Sequence, residues 1–199
     1  IRRRCILIII DNFIRDPDLL YSFKDDSFWQ DPGIYRWVDN PIAQPTTLEE
    51  KLISYIWQEN CPLNIDLSNI SGFEHWTGIF RAGDRKEIKD SDGKFYHLFK
   101  HCDKDEKEWK NSGTVLSPKI GTVFYPHKDN KDVLGGELKI WETKEPDIDS
   151  VPYELLLPKY NRLVLFDASY IHAVTMVTQG TRRAIAINLW ESKPTTFLD

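Results

Sequence analysis

The residues of this 199-residue chain best suited to metal chemistry are histidines with acids close by. His101-Cys102-Asp103 and His127-Lys128-Asp129 each place a carboxylate two residues after an imidazole, and a further histidine, His172, stands alone downstream. Side chains alternate along a strand, so residues two apart share a face and one strand end can offer both as neighbouring ligands. Two imidazoles and one carboxylate on one side of Fe(II) leave the opposite positions open for a cosubstrate and O₂. With five His and 31 acids in the chain, a His-x-Asp pair also arises by chance. Its position among the secondary-structure elements must therefore decide between the two.

Those elements change character along the chain. The first third is mixed: a strand over Cys5–Ile10, then a helix opened by Asp16-Pro17-Asp18 with Pro at an early helical position. A Trp- and Pro-containing loop (Trp29–Pro45) follows. A second helix starts at Thr47, where Thr47 and Glu50 have capping-box spacing and Leu52, Ile53 and Ile56 form an apolar stripe. From about Phe73, short β-branched and aromatic runs recur between Gly, Pro, Asn and Asp. They are Trp76–Arg81, Phe95–His101, Gly121–Tyr125, Glu137–Trp141, Tyr153–Leu157, Arg162–Phe166, His172–Val177 and Arg183–Trp190. Eight such strands predict a mainly β fold with flanking helices, a double-stranded β-helix (jelly roll, cupin-like) with the N-terminal helices packed on one sheet. One domain is expected over 1–199, with a helical and strand N-terminal part to about 72 and the jelly-roll core over about 73–191.

In a jelly roll, a His-x-Asp pair ending the second strand meets a His opening the seventh, with four strands between. Four of these runs lie between Asp103 and His172, but only three follow Asp129. His127-Lys128-Asp129 also follows a Pro and enters a polar hairpin stretch. His101, Asp103 and His172 are accordingly the candidate metal ligands. Ten residues beyond His172, Arg182 opens the last strand, where it shares a face with Ala184, Ala186 and Asn188, while Ile185, Ile187 and Leu189 take the other. Two alanines beyond a guanidinium leave room for a slim dicarboxylate, and the planar fork grips a carboxylate bidentately. Tyr125, ending the strand beside the last one, is a candidate second donor to that carboxylate. Arg183, of opposite parity, is expected to be a solvated charge.

The remaining features bound the function. His97, at even spacing from His101, is a weaker pocket candidate, as is Trp190, which has the parity of Arg182. Cys102 is expected to point away from the site. The charged run Asp103–Lys110 is read as a solvated face, with a rim of the substrate mouth as the alternative, and Gly135-Gly136 as a tight turn. Three cysteines without C-x-x-C spacing suit a reducing, cytoplasmic setting better than a disulfide framework. A net charge of −5 argues against nucleic acid as a partner. No run nears the roughly 18 apolar residues of a membrane span. Arg2-Arg3-Arg4 before Cys5–Ile10 imitates a signal peptide, but the apolar stretch is short and no small-residue cleavage site follows.

Taken in order, His101-Cys102-Asp103, Thr122-Val123-Phe124-Tyr125, Gly135-Gly136-Glu137-Leu138, Arg162-Leu163-Val164-Leu165-Phe166, His172-Ala173-Val174 and Gly180-Thr181-Arg182 resemble the 2-oxoglutarate/Fe(II) dioxygenase superfamily, in its prolyl-4-hydroxylase-like branch. The opening Ile10-Asp11-Asn12-Phe13 before a helix is similar too. The resemblance implies His101, Asp103 and His172 as iron ligands, Arg182 in a salt bridge with the 2-oxoglutarate tail, and Tyr125 as its helper. It further implies Fe(II) and 2-oxoglutarate as cofactor and cosubstrate, ascorbate as a reductant, and hydroxylation of a peptidyl residue or a small molecule. Two segments depart from the pattern: the long charged stretch after Asp103, and Pro126-His127, where Leu-Asn is usual after the tyrosine. Both border the expected substrate mouth. Alternatives are a catalytically silent jelly-roll sensor of metal or 2-oxoglutarate, and a cupin-type metalloenzyme without 2-oxoglutarate, which would have no need of Arg182.

Overall fold

Alternating side chains give each strand one face for the helices and one for the interior, and the computed structural model, which describes residues 6–84, 95–145, 148 and 150–198, uses both. The strands are β1 (Leu7–Asp11), β2 (Arg36–Asp39), β3 (Gly72–Arg81), β4 (Tyr96–His101), β5 (Ile120–Phe124), β6 (Leu134–Gly135), β7 (Leu138–Trp141), β8 (Tyr153–Leu156), β9 (Arg162–Phe166), β10 (Ile171–Thr175), β11 (Val177–Gln179) and β12 (Thr181–Trp190). A six-stranded antiparallel sheet, β1-β9-β5-β12-β3-β2, opposes a four-stranded one, β4-β10-β7-β8, in a jelly roll, and β11 pairs with β6 in a short ribbon.

The helices are α1 (Pro17–Ser22), α2 (Leu48–Ser54) and α3 (Glu106–Ser112). Asp16 caps α1 by accepting from the Asp18 and Leu19 amides, with Pro17 in the first turn. At α2 the capping box closes in both directions: the Glu50 amide donates to Thr47 Oγ1 at 3.1 Å and the Thr47 amide to Glu50 Oε2 at 3.0 Å. Apolar residues of these helices, among them Phe23, Leu52, Ile53, Ile56 and Trp57, pack on the outer face of the six-stranded sheet, where Ile185, Ile187 and Leu189 of β12 meet them. Ala184, Val123, Val164 and Phe166 face the opposite way, against Leu138, Ile140 and Leu156 of the other sheet. The parity expected for β12 is the parity found.

Three details differ from the expectation. Cys5 lies outside the described residues. The loop expected over Trp29–Pro45 contains β2, a four-residue edge strand paired with β3 and closed by Asn40-Pro41, too short for its alternation to stand out. The run His172–Val177 is split, because the chain leaves the four-stranded sheet after Thr175 and Val177–Gln179 pairs with β6 instead.

An ion-pair cluster ties β1 to β9. Asp11 accepts from Arg162 Nε at 2.6 Å and Nη2 at 3.1 Å, and from Lys159 Nζ at 2.7 Å. Hydrogen bonds from Arg162 and then Lys159 hold its carboxyl down at about 2. Because the folded value lies below the unfolded 3.8, the stabilisation is complete above that range and disappears as pH falls towards 2. After allowance for solvent around this half-exposed group, Asp11→Ala should cost about 1 kcal/mol at pH 7 and almost nothing near pH 2. Urea midpoints of the two proteins at both pH values check this; an equal gap at both would refute it.

Candidate active site

The strand order carries the three candidate metal ligands to one place. β4 and β10 are antiparallel neighbours, and His172 pairs directly with His101. Asp103 follows two residues on, its amide held by the Ala168 carbonyl at 3.2 Å. One ligand atom from each of His101, Asp103 and His172 lies within 4.8 Å of the others, and Asp103 Oδ1 is 3.7 Å from Nε2 of each histidine.

Both rings are aimed from behind. His101 Nδ1 lies 2.7 Å from the Phe99 carbonyl and His172 Nδ1 2.9 Å from the Tyr170 carbonyl. A carbonyl only accepts, so each Nδ1 carries the proton and each Nε2 turns its lone pair to the shared space. His172 is buried, and Phe166 meets its ring edge-on at 5.0 Å. Burial, then the neighbouring His101, pushes its imidazole down to about 4, against the pull of Asp103. At neutral pH that ring is neutral, with Nε2 free of a proton, as a metal ligand must be. Two oriented imidazole nitrogens and a carboxylate oxygen suit Fe(II) bound on one face.

These ligands line a cavity of about 70 Å³ between the sheets, together with Trp76, Phe80, Leu98, Arg182, Ala184, Ala186 and Asn188. Asn188 sits at the ligand end. Arg182 is six residues earlier on β12, roughly 20 Å along a strand, with the two alanines between. Arg182 is 3 % exposed. Its Nε donates to the Gly136 carbonyl at 2.9 Å and its Nη2 to the Tyr125 hydroxyl at 3.2 Å. The Phe80 and Tyr125 rings flank it at 5.6 and 5.1 Å. Among the described residues no acid pairs with it, which leaves a buried cation facing the cavity.

Several expectations change here. β4 spans three residues between Leu98 and His101, where β10 spans two between Val174 and His172. This bulge turns both Leu98 and His101 into the cavity. His97 consequently stacks on Phe80, with ring centroids 4.9 Å apart and planes at 5°, instead of lining the cavity. Arg183 is not a free solvated charge, since it pairs with Asp129 at 3.2 Å and Asp26 at 3.1 Å. His127-Lys128-Asp129 starts a 3₁₀ turn, in which His127 lies edge-on to Trp29. Cys102, expected to point away, and the charged residues Lys104–Glu106 line the wall of an outer cavity. Asp105 caps α3 and binds Thr195 of the C-terminal segment.

Two residues of the outer cavity, Glu74 and Tyr35, went unnoticed in the sequence. Tyr35 packs on Trp76 with ring centroids 4.7 Å apart. Although Tyr35 is 54 % exposed overall, loss of water at its hydroxyl, then the charges of Asp103, Glu74 and Glu106, push that group up to about 12. Glu74 accepts from Asn188 Nδ2 at 3.3 Å and Trp190 Nε1 at 3.1 Å. Burial pushes its carboxyl up to about 7 although both donors pull it down. Trp190 thus backs the cavity through Glu74. A single acid sharing a strand face with Trp76, Gly78 and Phe80 was the available signal.

A jelly roll with two imidazoles and a carboxylate at one strand mouth, and a buried guanidinium deeper in, defines the class of mononuclear non-haem iron oxygenases. The family model described as the 2OG-Fe(II) oxygenase superfamily matches residues 90–190, more than half of the chain, and the chain belongs to that superfamily. Its members use Fe(II) and 2-oxoglutarate, so the protein is an oxidoreductase, a hydroxylating dioxygenase. No curated protein matches it in sequence. Among solved structures it is similar to a prolyl-4-hydroxylase from Pseudomonas putida, at 14 % identity and a TM-score of 0.60 over 96 % of this chain and 95 % of that one. IDO from Bacillus thuringiensis is similar at 13 % identity and a TM-score of 0.56, over 94 % and 90 % of the two chains. At these identities the likeness is one of fold. Among the described residues no helix is long and apolar enough to cross a membrane.

Proposed function

We propose that residues 1–199 form one dioxygenase domain in which His101, Asp103 and His172 hold Fe(II), and Arg182 with Tyr125 holds the distal carboxylate of 2-oxoglutarate. When bound, the iron and cosubstrate supply the reaction of a substrate C–H with O₂ and 2-oxoglutarate to give the alcohol, succinate and CO₂. The chain's own part is positioning. The Phe99 and Tyr170 carbonyls fix both imidazoles, Ala184 and Ala186 leave a narrow passage, and the guanidinium ends it. Val123, Leu138, Phe166 and Val174 make the passage apolar and keep water scarce.

The observation that carries this reading is the buried guanidinium with no acid partner among the described residues. A buried cation is costly unless an anion meets it, and a dicarboxylate entering from the ligand end provides one. The hydroxylated group is a peptidyl residue, as the name of the Pseudomonas putida protein of this fold implies for that enzyme, or a small molecule. Purified protein with Fe(II), 2-oxoglutarate and ascorbate should release succinate slowly on its own and faster with substrate. If no succinate appears with peptides or cell extract while Fe(II) and 2-oxoglutarate still bind, the protein is a binding module.

Gly136 offers an independent check on the anchor. Its φ of +69° is left-handed, and a Cβ there would lie 2.8 Å from Val177 Cγ2 and 3.0 Å from Arg182 Cδ. Gly136→Ala should cost about 1–2 kcal/mol through the backbone alone and move the guanidinium. Thermal unfolding reads the first effect and calorimetry the second, as weaker 2-oxoglutarate binding. Unchanged cosubstrate affinity would separate Gly136 from the anchor.

A further inference from the structure

Trp76, His101, Asp103 and Asn188 line the inner cavity and also an outer one of about 160 Å³. The outer cavity therefore opens directly on the candidate metal ligands, where a substrate carbon must be presented. Its chemistry is one-sided. Tyr35 and Trp76 form a corner of two aromatic faces, inclined at 46°. Beside them is Glu74, whose two donors, Asn188 and Trp190, both converge on Oε2. Oε1 takes no hydrogen bond from the described residues.

Lys104 and Asp105 in the same wall are already engaged. Lys104 pairs with Glu106 at 3.0 Å and lies over the Trp109 ring at 4.5 Å. Asp105 is occupied by the Glu108 amide and by Thr195. Glu74, partly buried beside two π faces, keeps an oxygen to spare, whereas Asp103 is a candidate iron ligand and the Glu106 side chain, 55 % exposed, stays in water. A neutral ligand covering it would strip water from its ionised form and return nothing, which is unfavourable. A cation would neutralise it and also gain the attraction of the aromatic faces.

We propose that the outer cavity binds an ammonium or guanidinium group of the substrate between Tyr35, Trp76 and Glu74 Oε1, so that the substrate is a basic amino acid, free or in a peptide. This rests on the dioxygenase reading above. The raised carboxyl of Glu74 is consistent with a group awaiting a counter-ion, since a bound cation would draw it back down.

The test is calorimetry on the Fe(II)- and 2-oxoglutarate-loaded protein without O₂. The probes are blocked lysine and arginine (Nα-acetyl, N-methylamide), their neutral counterparts made from norleucine and citrulline, and a blocked proline. Each cation should bind about tenfold or more tighter than its neutral counterpart. Glu74→Gln should remove that preference, and Glu74→Asp, which keeps the charge, should retain most of it. Neutral probes binding as well as the cations, blocked proline binding best, a preference that survives Glu74→Gln, or no binding of either cation at millimolar concentration would each overturn the proposal. Uptake of Fe(II) and 2-oxoglutarate is measured first. A protein that takes up neither refutes the dioxygenase reading and this one with it, whereas one that takes up both and ignores ligand charge refutes this one alone.

Discussion

His172→Ala is expected to abolish Fe(II) binding, lowering affinity by more than about 100-fold, since even the groups that merely orient a ligand are worth about 10–100-fold. His172 is one of three donors within 4.8 Å, it is buried, and its Nε2 is free to coordinate because Nδ1 is committed to the Tyr170 carbonyl. Its depressed basicity means that protons do not compete for that nitrogen at neutral pH. The fold should survive, because the lost hydrogen bond leaves the Tyr170 carbonyl short of one donor at a cost of about 1–3 kcal/mol. Anaerobic titration with Fe(II) reads the affinity, and circular dichroism confirms the fold. A folded variant that binds Fe(II) like the wild type would remove His172 from the metal site and, with it, the functional reading.

Arg182→Ala should separate the two halves of the site. Fe(II) affinity stays near the wild-type value, while 2-oxoglutarate binding weakens by about 1.5–3 kcal/mol, roughly 10- to 150-fold, as expected for lost charge-assisted hydrogen bonds. Arg182→Lys keeps the charge without the fork and should fall between the two. Stability supplies a second, independent readout. The guanidinium is buried without an acid partner among the described residues, so its desolvation is poorly compensated in the free protein. Arg182→Met, which keeps apolar bulk, should therefore melt at or above the wild-type temperature without ligand. It should also lose most of the stabilisation that 2-oxoglutarate confers on the wild type. Normal cosubstrate affinity in Arg182→Ala would exclude it as the anchor.

Much of the architecture was legible because strand parity is a local property. Arg182, Ala184, Ala186 and Asn188 alternate with Ile185, Ile187 and Leu189, and the two sets occupy the cavity and the helix-covered face respectively. The four strands expected between Asp103 and His172 are present, with the two-residue β6 added among them, and the two ends converge across β4 and β10. The capping box at Thr47 is equally local. The failures are of another kind. His97, only a weaker pocket candidate on regular alternation through β4, lies off the cavity because a bulge there shifts the parity by one residue. Arg183 has the outward parity expected, but its partners, Asp26 and Asp129, come from segments far away in the chain.

The amino-acid order alone sets which face a side chain takes wherever a strand stays regular, since alternation is a local property. Whether Arg182 meets an acid, which oxygen of Glu74 stays open, and how Tyr35 joins Trp76 beside the ligands depend on register and loop paths between distant segments. Those relationships have no local signature, and only the folded chain settles them.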